Sequence, residues 1–177
     1  MMRVFAAALA VFVLAGAAQA KEIVVQVDAK AGPWLVKANK EMKYGIGDNA
    51  PPVIVSGLGP GMLGSLEIYA DGTTVAGGAA VDGTGVPDTA VDDQKGPKGK
   101  FYPSFYTPKI LYPANAHALI GAFVDADGVL VSRPFVIGTG VRVPIPETAV
   151  ALALGFNDVS FAGNSGSLTV TLVTPED

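Results

Sequence analysis

The apolar residues of this chain occur in short runs, and several runs alternate between apolar and polar positions. In residues 167–173, Leu168, Val170 and Leu172 fall on every second position, and Glu22–Asp28 follows the same pattern. Successive side chains of a β-strand point to opposite faces, so a period of two predicts strands that bury one face. No internal segment has a sustained helical period. We therefore expect an all-β chain with little helix.

Turn-forming residues separate these runs. The chain has 22 glycines and 13 prolines, and only 16% of its residues are charged. Short strands that each bury one face are accommodated by two antiparallel sheets packed face to face. We predict a jelly-roll β-sandwich of about eight strands. The candidate strands are residues 22–28, 34–38, 52–56, 65–70, 119–124, 129–131, 140–144, 150–156 and 167–173.

Residues 71–108 interrupt this rhythm, because they are rich in Gly, Pro and Asp and end in an aromatic cluster. We predict one long Gly/Asp-rich loop here. Long loops in compact domains are usually functional or disordered. The loop is expected to form a wall of a binding site. Aromatic residues there would either stack on a ligand or be buried beneath the loop. These candidates are Tyr102, Phe105, Tyr106 and, from an earlier segment, Trp34.

The N-terminus has the pattern of a secretory signal peptide. Arg3 precedes an apolar run, and Ala18-Gln19-Ala20 has the small residues of a cleavage site. We predict a signal peptide at residues 1–20 and a single domain at residues 21–177. The mature protein is expected to be exported, to the periplasm or outside the cell, with no membrane span.

Composition and motifs exclude several classes of function. A formal net charge of −4 offers no basic surface for nucleic acid, and the lack of cysteine excludes thiol nucleophiles. No hydrolase elbow, zincin or phosphate-loop motif is present, and Gly59-Pro60-Gly61 are interpreted as turn residues. His117 is the one histidine and precedes an apolar strand, either as a general base or ligand donor, or as a core residue. We predict that the protein is not an enzyme.

Residues 157–164 form an oxygen-rich turn. Asp158 and Asn164 lie on its two limbs, and calcium prefers about six to eight oxygen ligands. The same residue types also shape turns by binding their own backbone, so both readings stay open. Asp82 begins a second oxygen-rich segment, whereas residues 125–128 are typical of a hairpin turn.

Three segments resemble one known family. ALIGAF (118–123), PFVIGTG (134–140) and VPIPETAVALALGFNDVSFAGNSGSLTVTLV (143–173) resemble the C-terminal half of the PA-IL-like family of bacterial galactophilic lectins. The shared features are a "GALIG" strand, a strand reaching N-D, a loop closing on N-S-G-S and a final alternating strand. The resemblance implies a small jelly-roll sandwich that binds sugar through a calcium ion.

The resemblance also implies particular site residues. Asp158 matches the family's aspartate ligand and Asn164 matches its second asparagine, while Gly163 occupies the place of the first asparagine. We predict calcium ligands at Asp158, Asn164 and Asn157, and ligand-binding positions at Asp158, Val159, Asn164 and Asp82.

Two functions follow from these predictions. The first is a non-catalytic, calcium-dependent, carbohydrate-binding exported protein of galactose type. The alternative is a periplasmic or surface interaction domain with a degenerate sugar site.

Overall fold

The computed structural model describes residues 20–45, 48–59, 62, 64–90, 102–106 and 114–175. The predicted signal peptide lies outside these residues, apart from Ala20. The described residues form ten strands, one 3₁₀ helix at Pro103–Tyr106 and no α-helix, which confirms the all-β prediction. No described helix has the length and apolar character needed to cross a membrane. The strands are β1 (Glu22–Asp28), β2 (Val53–Ser56), β3 (Ser65–Asp71), β4 (Thr74–Ala76), β5 (Ala79–Val81), β6 (Leu119–Val124), β7 (Phe135–Val136), β8 (Gly140–Pro144), β9 (Ala151–Phe156) and β10 (Ser165–Val173).

The strands form two antiparallel sheets. The first sheet has the order β5-β4-β10-β3-β8, and β1 also pairs with β10. The second sheet has the order β2-β9-β6-β7. β10 pairs with β1 along one edge, from Ser167 to Val173. Along its other edge it pairs with β4 at Ser165 and Gly166 and then, in the same register, with β3 from Thr169 to Val173.

The core lies between the two sheets. Leu168, Val170 and Leu172 of β10 are fully buried, as the alternation predicts. They belong to one apolar cluster with Leu152 and Leu154 of β9 in the second sheet. Apolar faces of both sheets therefore meet in a single core, as in a β-sandwich. The jelly-roll connectivity stays a prediction.

Two predicted strands are wrong. Residues 34–38 form turns, in which the Asn39 amide N–H donates to the Leu35 carbonyl and Trp34 Nε1 donates to the Met42 carbonyl. The Asn39 side chain also binds the Leu35 and Gly128 carbonyls, so buried polar contacts override the apolar spacing here. Residues 129–131 contribute only an isolated bridge, between Leu130 and Val124.

The prediction of one continuous loop at residues 71–108 is also wrong. β3 extends through Asp71, and β4 and β5 form a hairpin directly afterwards. Gly77 and Gly78 make its turn at φ angles of 57° and 85°, which suit a two-residue hairpin turn. Strands of three residues are too short for a clear period, so the sequence pattern did not reveal them. Within the predicted loop, residues 91–101, 107 and 108 lie outside the described part of the chain. Residues 109–113, which follow the loop, lie outside it as well.

Gly155 of β9 lies where another segment crosses closely. A Cβ atom here would lie 2.2 Å from the Gly32 carbonyl oxygen and 2.6 Å from the Pro33 nitrogen. Because both obstacles are backbone atoms, rotamer changes cannot relieve the overlap. Gly155 therefore lets residues 32 and 33 pack directly on the strand that leads into the oxygen-rich turn.

We expect Gly155→Ala to reduce the free energy of unfolding by about 1–3 kcal/mol, because the added methyl group must displace main chain. Gly59→Ala is the matched control, since no atom lies within 4 Å of its added Cβ. Urea unfolding monitored by circular dichroism measures both variants. Equal stability of the two variants would contradict the close packing at Gly155.

Candidate functional site

The pairing of β6 with β9 brings the single histidine to the oxygen-rich turn. Leu119 pairs with Phe156 at the end of the ladder. Two further backbone bonds extend this register. The Asn157 N–H donates to the Ala118 carbonyl at 2.8 Å, and the His117 N–H donates to the Asn157 carbonyl at 2.7 Å. His117 and Asp158 therefore emerge side by side, although 41 residues separate them in the sequence.

The Asp158 carboxylate receives hydrogen bonds on both oxygens. Oδ1 accepts the backbone N–H groups of Val159 at 2.7 Å and Ser160 at 3.0 Å. Oδ2 accepts Asn164 Nδ2 at 3.0 Å and lies 3.1 Å from His117 Nδ1. The carboxylate is thus held by four groups of its own chain. Its side chain keeps 14% of its surface exposed.

These contacts determine the ionisation of Asp158. Burial acts to raise its pKa, but hydrogen bonds from His117, Ser160 and Asn164, with the charge of His117, outweigh burial and lower its pKa below the ordinary 3.8. Asp158 is therefore an anion at neutral pH. An ionised carboxylate in a largely buried position requires such compensating donors.

His117 is a buried residue in an uncommon backbone conformation. It is 1% exposed, and its ring stacks on Phe156 with centroids 4.2 Å apart and planes 7° apart. Its φ is 58°, in the left-handed region that costs a non-glycine residue about 1–2 kcal/mol. Its Nε2 lies 3.1 Å from Thr74 Oγ1. Packing on Phe156 and polar contacts with Thr74, Asp158 and Asn164 together stabilise this conformation.

Thr74, His117, Asp158 and Asn164 form a connected set of polar side chains, which we call the inter-sheet network. Thr74 belongs to β4, and Asn164 immediately precedes β10, both in the first sheet. His117 precedes β6, and Asp158 follows β9, both in the second sheet. Asn164 Nδ2 also lies 3.4 Å from the Ala29 carbonyl, just after β1. The network therefore connects the two sheets at one end of the sandwich.

The order hydroxyl, imidazole and carboxylate in this network resembles a hydrolase triad. Thr74 and His117 are each 1% exposed, however, and Thr74 Oγ1 also lies 3.4 Å from the Val81 carbonyl. A nucleophile must reach the carbonyl carbon of its substrate. In this arrangement the Thr74 hydroxyl is enclosed by protein, so its contacts are structural.

Asn157 has a different set of partners from the other predicted metal ligands. Its Oδ1 accepts the Ser104 backbone N–H at 2.9 Å, and its Nδ2 donates to the Asn115 carbonyl at 2.9 Å. It is fully buried. Asn157 therefore fixes the segment containing the 3₁₀ helix beside the turn. Half-buried Tyr102 adjoins that helix, and burial, followed by the charge of Asp158, raises its pKa.

The remaining predicted positions do not converge on Asp158 as free ligands. Val159 is largely buried, and its backbone packs against Gly45, where a Cβ would overlap its carbonyl. Asp82 is exposed, and hydrogen bonds from the Thr84 hydroxyl and N–H lower its pKa. Trp34 is a core residue and offers no face for stacking. The side chains of Phe105 and Tyr106 lie outside the described part of the structure.

As these residues are arranged, the oxygen donors of the turn are already engaged by groups of the same chain. Calcium requires about six to eight oxygens, whereas the Asp158 oxygens already accept donors, and Asn164 directs its Nδ2 toward them. Calcium coordination would require the Asn164 amide to turn and His117 to release Oδ2.

Comparison with protein-family models gives no match, and comparison with curated proteins gives none. The relation to PA-IL-like lectins therefore stays a prediction from the motifs of residues 118–173.

The contact between His117 and Asp158 was not predicted from the sequence. The signal that could have found it is the pairing of two predicted strands, 119–124 and 150–156. If the apolar residues of the two strands are aligned, His117, just before the first strand, lies beside Asn157 and Asp158, just after the second. Thr74 had no such signal, because its hairpin was not recognised.

Asp158→Asn should destabilise the protein at neutral pH by about 1–3 kcal/mol, because a charged acceptor of buried donors is lost. The lowered pKa of Asp158 means that its contribution is present above pH 3.8 and is lost as the pH falls through the folded-state pKa. The stability difference from wild type should therefore shrink in acid. Urea titrations at several pH values test this, with exposed Asp127→Asn as control. A difference that does not vary with pH would contradict the proposed role of the charge.

Asn157→Ala should destabilise the protein by about 2–3 kcal/mol, since it leaves the Ser104 N–H and the Asn115 carbonyl without their side-chain partner. Amide hydrogen exchange at Ser104 should accelerate. Asn49→Ala is the control, because among the described residues the Asn49 side chain makes only a 3.3 Å bond to the carbonyl of its neighbour Ala50. Unchanged exchange at Ser104 would show that Asn157 does not fix this segment.

Proposed function

We propose that this protein is a non-catalytic, exported β-sandwich that serves as a structural or interaction domain of lectin-like type. The observation that carries this proposal is the engagement of Asp158 with four donors of its own chain. In this function the predicted sugar turn contributes stability, through the inter-sheet network, and does not bind ligand.

Burial of the polar groups supports the non-catalytic part of the proposal. The inter-sheet network contains the single histidine of the chain, the residue type most often used for proton transfer near neutral pH. That histidine and its hydroxyl partner are both enclosed. The burial of His117 and Thr74, each 1% exposed, therefore supports a non-catalytic function.

The exported location and the lectin-like type are proposed from the sequence. The N-terminal pattern of residues 1–20 is that of a secretory signal, and a chain without cysteine suits export without disulfide formation. The N-D and N-S-G-S motifs support the lectin-like type. A strong polar connection between the sheets is consistent with a protein that must be stable without disulfides.

Calcium-dependent carbohydrate binding, with galactosides as the sugar class, is a second candidate. The observation in its favour is the 3.0 Å distance between Asn164 Nδ2 and Asp158 Oδ2. It brings together the two ligands that the motifs imply. The lowered pKa of Asp158 also provides the anion that a cation needs. When bound, calcium would supply a positive centre for sugar hydroxyls, held by Asp158 and by the amide oxygen of Asn164.

Thermal unfolding in EDTA and in excess calcium distinguishes the two candidates. A ligand that binds only the folded state at about 100 times its Kd adds about 2.7 kcal/mol of stability. We expect no shift in the wild-type melting temperature. A shift in wild type that disappears in Asp158→Asn but persists in Asp127→Asn would establish the second candidate instead. A glycan array in the same calcium buffer then identifies the sugar.

A further inference from the structure

A second part of the molecule offers a cavity that the oxygen-rich turn does not involve. It lies at one open side of the sandwich, between β7 of the second sheet and β8 of the first, and has a volume of about 420 Å³. Small-molecule sites typically occupy roughly 300–1,000 Å³. The apolar residues Phe123, Phe135 and Val143 line it, together with Arg133, Pro144 and Pro146.

The backbone explains why the sandwich is open here. After the β6 turn, the Val131 N–H donates to the Phe123 carbonyl at 3.0 Å, and the chain returns to the ladder at β7. Residues 132–134 leave the ladder between these points. Pro134 has no N–H with which to pair, and β7 is only two residues long. The gap between the sheet edges therefore follows from the local sequence.

The lining of the cavity is apolar with one charge. Phe123 and Phe135 are nearly buried, and their rings lie 5.5 Å apart at 39°. Arg133 is the only charged residue among the lining residues and is exposed. It forms no ion pair with any residue that the structure describes, whereas Arg142 on β8 lies 3.8 Å from Glu67.

We propose that this cavity binds a small amphipathic carboxylate. The apolar body of the ligand packs against Val143, Pro144 and Pro146, which keep exposed surface above the nearly buried Phe123 and Phe135 rings, and its carboxylate pairs with the Arg133 guanidinium. Burial of an apolar body provides the affinity, and the planar guanidinium donates two parallel hydrogen bonds to a carboxylate. An ammonium group in the same position would be repelled by Arg133. The site is independent of the function proposed above.

Isothermal titration with octanoate, 3-phenylpropanoate and octylamine tests this site. At least one of the two carboxylates should bind, and octylamine, which matches octanoate in length, should not. Arg133→Gln should weaken carboxylate binding about fivefold, as expected for an exposed charge pair, and salt should weaken it as well. Arg142→Gln is the matched control and should leave binding unchanged. The stronger carboxylate shows whether the pocket prefers an aliphatic or an aromatic body.

Amide chemical shifts recorded during the titration locate the ligand. Shifts centred on Ser132, Phe135 and Val143 support the proposal. Shifts centred on the oxygen-rich turn would overturn it. So would the absence of binding by both carboxylates, or equal affinity for octanoate and octylamine. Equal losses in Arg133→Gln and Arg142→Gln would also overturn the role assigned to Arg133.

Discussion

The buried carboxylate of Asp158 is the constraint on which this end of the sandwich depends. Desolvation makes an anion costly in that position, so the chain must surround it with donors. Two donors are backbone groups of its own turn, and two are the His117 and Asn164 side chains. Meeting that requirement brings together residues from both sheets. The same contacts that satisfy the charge thus fix how the sheets meet at this end.

Much of the fold could be predicted from the sequence, because the period of apolar residues reports directly on burial. The alternation in β10 identified Leu168, Val170 and Leu172 as inward-facing, and each is fully buried. The same reasoning failed at residues 34–38, where apolar spacing reflects the burial of Trp34 beneath turns held by Asn39. It also failed for β4 and β5, since three residues are too few to show a period.

The residues of the candidate site could be predicted from the sequence, but whether they bind an ion or each other could not. Residue types near Asp158 indicated an oxygen-rich turn, and Asp158 and Asn164 do lie together. Whether such groups face an ion or each other depends on partners distant in the sequence. His117 is supplied through the β6–β9 register, and Thr74 through a hairpin of the other sheet. Local composition contains no information about either partner, so only tertiary structure distinguishes a polar connection from a metal site.

The position of β10 has a consequence for the timing of folding. This strand is the last that the structure describes, yet it pairs with β1, β3 and β4, and its Val173 pairs with Glu22, the first residue of β1. The first sheet therefore lacks its shared strand until residues 165–173 have been synthesised. Contacts this distant in sequence also form slowly.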